Sequence, residues 1–194
     1  YNVCAMASAG CMASCLNTAG RGQMNSVQQG RINKTKWYFL ERESFLNQLR
    51  IEIKRHILRC KKNGFKPAIR LNGTSDIDWN IHGLYEEFKQ VKFYDYSKIY
   101  KRALKFVKKE YPKNYHLTYS LNEDNKAQAK YILKRGGNIS AVFRTKKLPK
   151  RFLNYKVFNG DNSDLRFNDP KNVIVGLYAK GRALKDNTGF VQDV

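Results

Sequence analysis

Cys4, Cys11 and Cys15 stand six and three residues apart in the segment CAMASAGCMASCLNTAGRG, and three thiols at that density suit soft-metal chemistry. Small residues surround them: five Ala, three Gly and two Ser lie between Cys4 and Gly22. A cluster with sulfides at its corners needs backbone packed close around it, with amide N–H groups free to bond sulfur, and small side chains permit this. No acidic residue occurs before Glu41, so no local carboxylate opposes thiolates or an anionic cluster. The pattern points to a [4Fe–4S] cluster. Three other readings compete. A zinc site usually closes with four ligands, often at two-residue spacings. A disulfide would leave an odd thiol, and four cysteines with no visible secretory segment argue for a reducing compartment. A single catalytic cysteine needs a histidine partner, but no motif links His56, His82 or His116 to this segment, and each reads as structural.

Cys60 is the obvious fourth ligand by type. Its position argues otherwise, because it continues the stripe Leu49, Ile53, Ile57 by three residues and so reads as a small core hydrophobe. The cluster then rests on three thiolates, with one iron open to water, substrate or cofactor.

The elements that must position these thiols alternate along the chain. Short apolar runs rich in β-branched and aromatic residues predict strands at Pro67–Asn72, Val91–Tyr94, His116–Ser120, Ile139–Arg144, Tyr155–Asn159 and Val173–Leu177. Helices are predicted at Ser44–Lys62, Ser97–Glu110 and Asn122–Arg135, the last ending on Gly136–Gly137. Strands alternating with helices imply a mostly parallel sheet, and the length suits one α/β domain over 1–194: a short or partial (β/α) TIM-type barrel or an open doubly wound sheet, with 1–22 as the cysteine loop.

In such folds chemistry collects beyond the carboxyl ends of the strands. The first strand runs into Asn72-Gly73-Thr74-Ser75-Asp76, whose hydrogen-bonding capacity exceeds what a turn requires. Asn72, Thr74, Ser75 and Asp76 are therefore candidate ligand-binding residues. Arg144 and Lys180, at other strand ends, suit an anionic substrate. Asp161 and Asp76 suit ribose hydroxyls or an ammonium group.

Charge bounds the partners. The 37 Lys and Arg against 16 Asp and Glu give a formal net charge of +21, and ten basic side chains with no acidic one lie between Asp124 and Asp161. Nucleic acid or another polyanion is the expected partner, with Arg144–Arg151 (RTKKLPKR) as the contact stretch. A basic nucleic-acid-binding module with a structural zinc is the alternative to an enzyme. No apolar run approaches the roughly 18 to 20 residues of a membrane-spanning helix, so no membrane role is expected.

A three-cysteine loop, a long helix and a strand ending in a polar turn resembles the start of radical S-adenosylmethionine enzymes. The resemblance implies a [4Fe–4S] cluster on Cys4, Cys11 and Cys15, the turn Asn72–Asp76 beside the open iron, S-adenosylmethionine as a candidate cofactor, and a first strand upstream of Tyr1. The loop departs from the usual three-then-two spacing, and NGTSD departs from the glycine-glycine-glutamate turn. More closely, CLNTAGRG, RINKTKWYFLERESFLNQL, RLNGTSDIDW, VFRTKKLPKR and VIVGLYAKG resemble a family of functionally unassigned bacteriophage proteins. That likeness covers nearly all the chain. It implies a phage origin, the cytoplasm of an infected bacterium as the working compartment, and an iron–sulfur protein on a TIM-type barrel.

Overall fold

The computed structural model describes residues 1–194. The chain opens with the short helix α1 (Ala9–Ala13), then two long helices, α2 (Asn25–Leu40) and α3 (Arg42–Lys62). Strands and helices alternate from there: β1 (Ala68–Ile69), α4 (Leu84–Glu87), β2 (Lys92–Ser97), α5 (Tyr100–Val107), β3 (Tyr115–Ser120), α6 (Lys126–Lys134) and β4 (Ile139–Phe143). The last part holds the hairpin β5 (Arg151–Phe152) and β6 (Tyr155–Asn159), then β7 (Ile174–Tyr178) and β8 (Val191–Gln192).

The strands form one eight-stranded sheet in the order β1-β2-β3-β4-β7-β6-β5, parallel throughout except at the β5–β6 hairpin. The eighth strand, β8, lies beside β4. Because β7 occupies one edge of β4 along its whole length, β3 and β8 divide the other: β3 pairs at Ile139 and Ser140, β8 at Val142 and Phe143. The protein is thus a single α/β domain on a mostly parallel sheet.

All six expected strands are present, and β6 has the expected bounds. The expected β1 shortens to two residues because the chain turns away into the 72–79 loop. β2 runs on to Ser97, past Asp95, the polar residue that interrupted its apolar run. The helix α2 escaped sequence reading because its surface is polar nearly all round, with Tyr38 its one fully buried residue. α6 starts at Lys126; the expected first turn, Asn122–Asn125, is instead a capping loop in which Asn125 Oδ1 accepts from the Asn122 amide at 2.9 Å. That helix ends as expected on Gly136, whose φ of +82° only glycine adopts without strain.

Side chains alternate across the sheet. On one face Asp95 meets Arg102 of α5, and Tyr119 Oη donates to Gln128 of α6 at 2.7 Å. Phe93, Leu117, Ile139 and Ile174 belong to the same buried cluster as Ala129, Ile132 and Leu133 of α6. On the other face Tyr94 Oη donates to Asp164 at 3.2 Å, and its ring meets Phe167 edge-on at 5.6 Å. The segment after β6 therefore crosses the second face, carrying the wholly buried Arg166 with it. Arg70, just past β1, pairs with the same Asp164 at 2.8 Å. The segment after β6 thus spans this face as far as β2, through Tyr94, and the end of β1, through Arg70.

His116 pairs in register with Tyr94 on the face this segment covers, feels the Arg166 charge, and packs edge-on against Phe106. Burial, reinforced by the Arg166 charge, pulls its pKa down to about 4. The folded protein thus keeps the ring neutral while the unfolded chain takes up a proton below about pH 6.5. Stability must fall as pH drops from about 6.5 towards about 4, by an amount on the order of 3 kcal/mol from this ring. Chemical denaturation of the wild type and His116→Gln at pH 7 and pH 4.5 checks this. The variant should lose less stability between the two, since the carboxylates contribute equally to both proteins and cancel in the difference. Equal losses would contradict a ring buried in its neutral form.

Candidate functional site

The 72–79 loop is built around buried Asn72. Its Nδ2 donates to Asp95 at 3.0 Å and to the Ile77 carbonyl at 2.9 Å. Its Oδ1 accepts from Ser75 Oγ at 2.7 Å, the Ile77 amide at 3.1 Å and Trp79 Nε1 at 3.1 Å. Asp76 is equally committed, accepting from Arg102 Nη1 at 2.6 Å and the Lys98 amide at 2.8 Å. The rich hydrogen bonding of NGTSD is therefore satisfied largely inside the loop. The loop still faces outward at Thr74, whose carbonyl accepts from Cys4 Sγ at 3.3 Å.

The cysteine segment is held from the far side. Glu123, after β3, accepts from Ser8 Oγ at 2.8 Å and the Gly10 amide at 2.7 Å. Gly10 sits so close to Thr188 and Phe190 that a Cβ there would collide with both. The Asp76 amide donates to the Val3 carbonyl at 2.7 Å, and Ser14 leans on Asp186. The segment is free of acids in sequence but not in space: Asp76, Glu123 and Asp186 approach it from other elements.

Together these pieces enclose a cavity of about 470 Å³ at the carboxyl ends of the strands. Cys4, Cys11 and Cys15 line it, as do Asn72, Thr74, Ser75 and Asp76 after β1, and Asp161 and Lys180 after β6 and β7. Nine of the ten residues expected at a site thus meet around one space. The exception is Arg144. Its guanidinium turns to the carbonyls of Leu184 and Asp186, at 2.7 and 2.6 Å, and to Asp193 at 2.5 Å, so it fastens β8 and its flanks rather than facing the cavity. Cys60 does not line the cavity; it is buried on α3 with its Sγ 3.5 Å from His56 Nε2, a core position as expected. His82 bonds Tyr38 at 2.9 Å, a structural role too.

The electrostatics favour one edge of the cavity. Lys180 pairs with Asp161 at 2.6 Å and Arg70 with Asp164 at 2.8 Å, so both cations are neutralised. Lys98, from the end of β2, is the lining cation with no carboxylate partner. Its ammonium lies 5.6 Å over the Phe190 ring and next to Cys11. Burial pushes the Cys4 thiol up to about 11, and Asp76 adds to this. Burial also raises Cys11, but Lys98 opposes the rise by charge and hydrogen bonding. Sequence reading missed Lys98 because the second strand was ended at Tyr94, which placed this strand-end residue in a helix. Glu123 carried no local signal, since its partners lie over 110 residues away.

No three His, Cys, Asp or Glu side chains converge closely enough to chelate a single metal ion. A coordinated thiol loses its proton, so a soft metal bound at these thiols would reverse their raised pKa values.

Fold and site define an α/β domain whose thiol-lined cavity lies at the carboxyl ends of a mostly parallel sheet. The chain belongs to the Gene product 88 family, which it matches over residues 1–194. This is a phage gene-product family, as the sequence likeness implied; no likeness to radical S-adenosylmethionine enzymes is shown. No curated protein and no solved structure matches the chain.

Glu123 is the clamp whose removal should be felt at the thiols. Glu123→Ala leaves the Gly10 amide and Ser8 hydroxyl without their acceptor, and should cost about 2 kcal/mol. Opening of the segment should speed iodoacetamide labelling of Cys11 by about tenfold. Peptide mass spectrometry over a labelling time course reads the rate, and an unchanged rate would show that other contacts hold the segment.

Proposed function

We propose that this protein is an iron–sulfur protein holding a [4Fe–4S] cluster on Cys4, Cys11 and Cys15, at the mouth of a partial barrel. The observation that carries the reading is the meeting of all three thiols with the strand-end loops around one cavity. The mostly parallel order of the strands, with the cavity at their carboxyl ends, supports the partial barrel. When bound, the cluster would supply electrons to a ligand at its open iron. This chain's residues do the rest. Lys98 offsets the negative charge of thiolates and sulfide and attracts an anionic group towards that position. Thr74 Oγ1 and the Ser120 and Ser140 hydroxyls offer uncharged partners to the same ligand. Asn72 and Asp76 act through the loop they rigidify, and the Lys180–Asp161 pair borders the entrance. The substrate class is a small anion or a nucleic-acid group; S-adenosylmethionine has no dedicated turn here, since Asn72 and Asp76 are already engaged. The phage family supports work in the host cytoplasm, where free thiols persist.

Protein purified without oxygen should be brown, with broad absorption at about 400 nm from thiolate-to-iron charge transfer. Cys4→Ala, Cys11→Ala and Cys15→Ala should each lose most of the iron and sulfide, while Cys60→Ala keeps both. A colourless anaerobic preparation holding stoichiometric zinc would falsify the reading and leave the zinc-bearing nucleic-acid module in its place. That second reading rests on the charge of +21 and on the exposed Thr145, Lys146 and Lys147 after β4.

A further inference from the structure

The outer face of α3 is a basic ridge on which nothing in the fold packs. From Ile53 to Ser75 the sequence holds six Lys and Arg before Pro67 and no Asp or Glu throughout. At 100° per residue Arg55, Leu58, Arg59 and Lys62 project away from the buried stripe Leu46, Ile53 and Cys60. All four are exposed, Leu58 by 66%, and none of the three cations takes part in an ion pair.

The helix ends in a fixed geometry. Gly64 adopts a φ of +70°, its amide donates to the Lys61 carbonyl at 3.2 Å, and the Phe65 amide donates to the Cys60 carbonyl at 2.9 Å. In this closure the residue after the glycine normally folds its apolar side chain back onto the helix. Here Phe65 is 71% exposed. Its backbone is pinned while its ring stands in water, three residues after Lys62 and one before Lys66 in the chain. Leaving a phenyl ring in water forgoes the stabilisation its burial would give. A flat partner stacked on it would recover that loss, and cations on either side favour a partner with a phosphate backbone.

We propose that this ridge binds single-stranded nucleic acid, with phosphates on Arg55, Arg59 and Lys62 and a base stacked on Phe65. Charge complementarity selects the partner, and the exposed ring selects an unpaired strand, because bases inside a duplex present no free face. An anionic membrane surface fits less well: an interfacial helix buries a continuous apolar face, whereas here Arg55, Arg59 and Lys62 interrupt Ile51, Leu58 and Phe65. The inference is independent of the cluster, and it places the nucleic-acid contact on α3 instead of Arg144–Arg151.

Full-length protein titrated with fluorescent oligothymidylate and oligouridylate at low salt tests it. Binding of either oligomer supports the proposal, and the tighter one identifies the sugar. Phe65→Ala should weaken binding about tenfold and Phe65→Tyr should restore it. Arg55→Glu/Arg59→Glu/Lys62→Glu should reduce the slope of log affinity against log salt by about two, at roughly 0.7 for each phosphate no longer neutralised. All these side chains face water, so melting temperatures should stay near wild type and confirm folding. The proposal is overturned if neither oligomer binds, if the α3 variants bind like wild type while Lys146→Glu/Lys147→Glu does not, or if Phe65→Ala alters only binding to vesicles of anionic phospholipid.

Discussion

The buried guanidinium of Arg102 is the interaction on which the site depends. With 3% of its surface exposed, it reaches Asp76 at 2.6 Å, Asp95 at 3.4 Å and Tyr115 Oη at 2.6 Å. A charge taken so far out of water is tolerated only when opposite charges and acceptors surround it. Meeting that demand pins the loop after β1 to the end of β2, and Asn72 then locks the loop through Asp95 from its other side. The Thr74 carbonyl faces Cys4 because this network leaves it little freedom. A hydrophobic replacement of the whole network would hold the strands together as well, but it would not fix the direction of the loop.

The cavity wall follows the same logic. Two of its three cations, Arg70 and Lys180, are tied to carboxylates that shape the sheet edge and the entrance, while Lys98 is left beside the thiols. The acids around the cysteine segment are likewise engaged, Glu123 by Ser8 and Gly10 and Asp76 by Arg102, which tempers their repulsion of thiolates. The site thus combines a rigid, internally satisfied frame with one uncompensated positive group.

Much of this was legible in the sequence. The strands followed from β-branched runs, and the gathering of Cys4, Cys11 and Cys15 with the strand-end loops followed from the rule that parallel sheets place their sites at the carboxyl ends of strands. What was not legible depended on contacts between distant residues. Arg144 looks like an anion grip from its place after β4; its partners are Asp193 and two carbonyls contributed by residues 40 or more positions later. Asn72 and Asp76 look like ligand contacts until Arg102 and Asp95 are placed next to them. Lys98 was hidden by a polar residue inside a strand, Asp95, which is buried only because Arg102 is there to receive it. The helix α2 had no apolar stripe to announce it.

The divided edge of β4 has a consequence for the order of events in the cell. Its second half is filled by β8, and Phe190, one residue before that strand, closes the cavity against Gly10. The ribosome makes the three cysteines before this wall, with the other strands of the sheet in between. Until residue 191 has emerged, the thiols belong to a chain that cannot yet shield them, and contacts of such long sequence separation form late. The nascent protein must therefore carry three unshielded thiols while residues 16–191 are made. Any metal it receives would be sealed in only once β8 has docked.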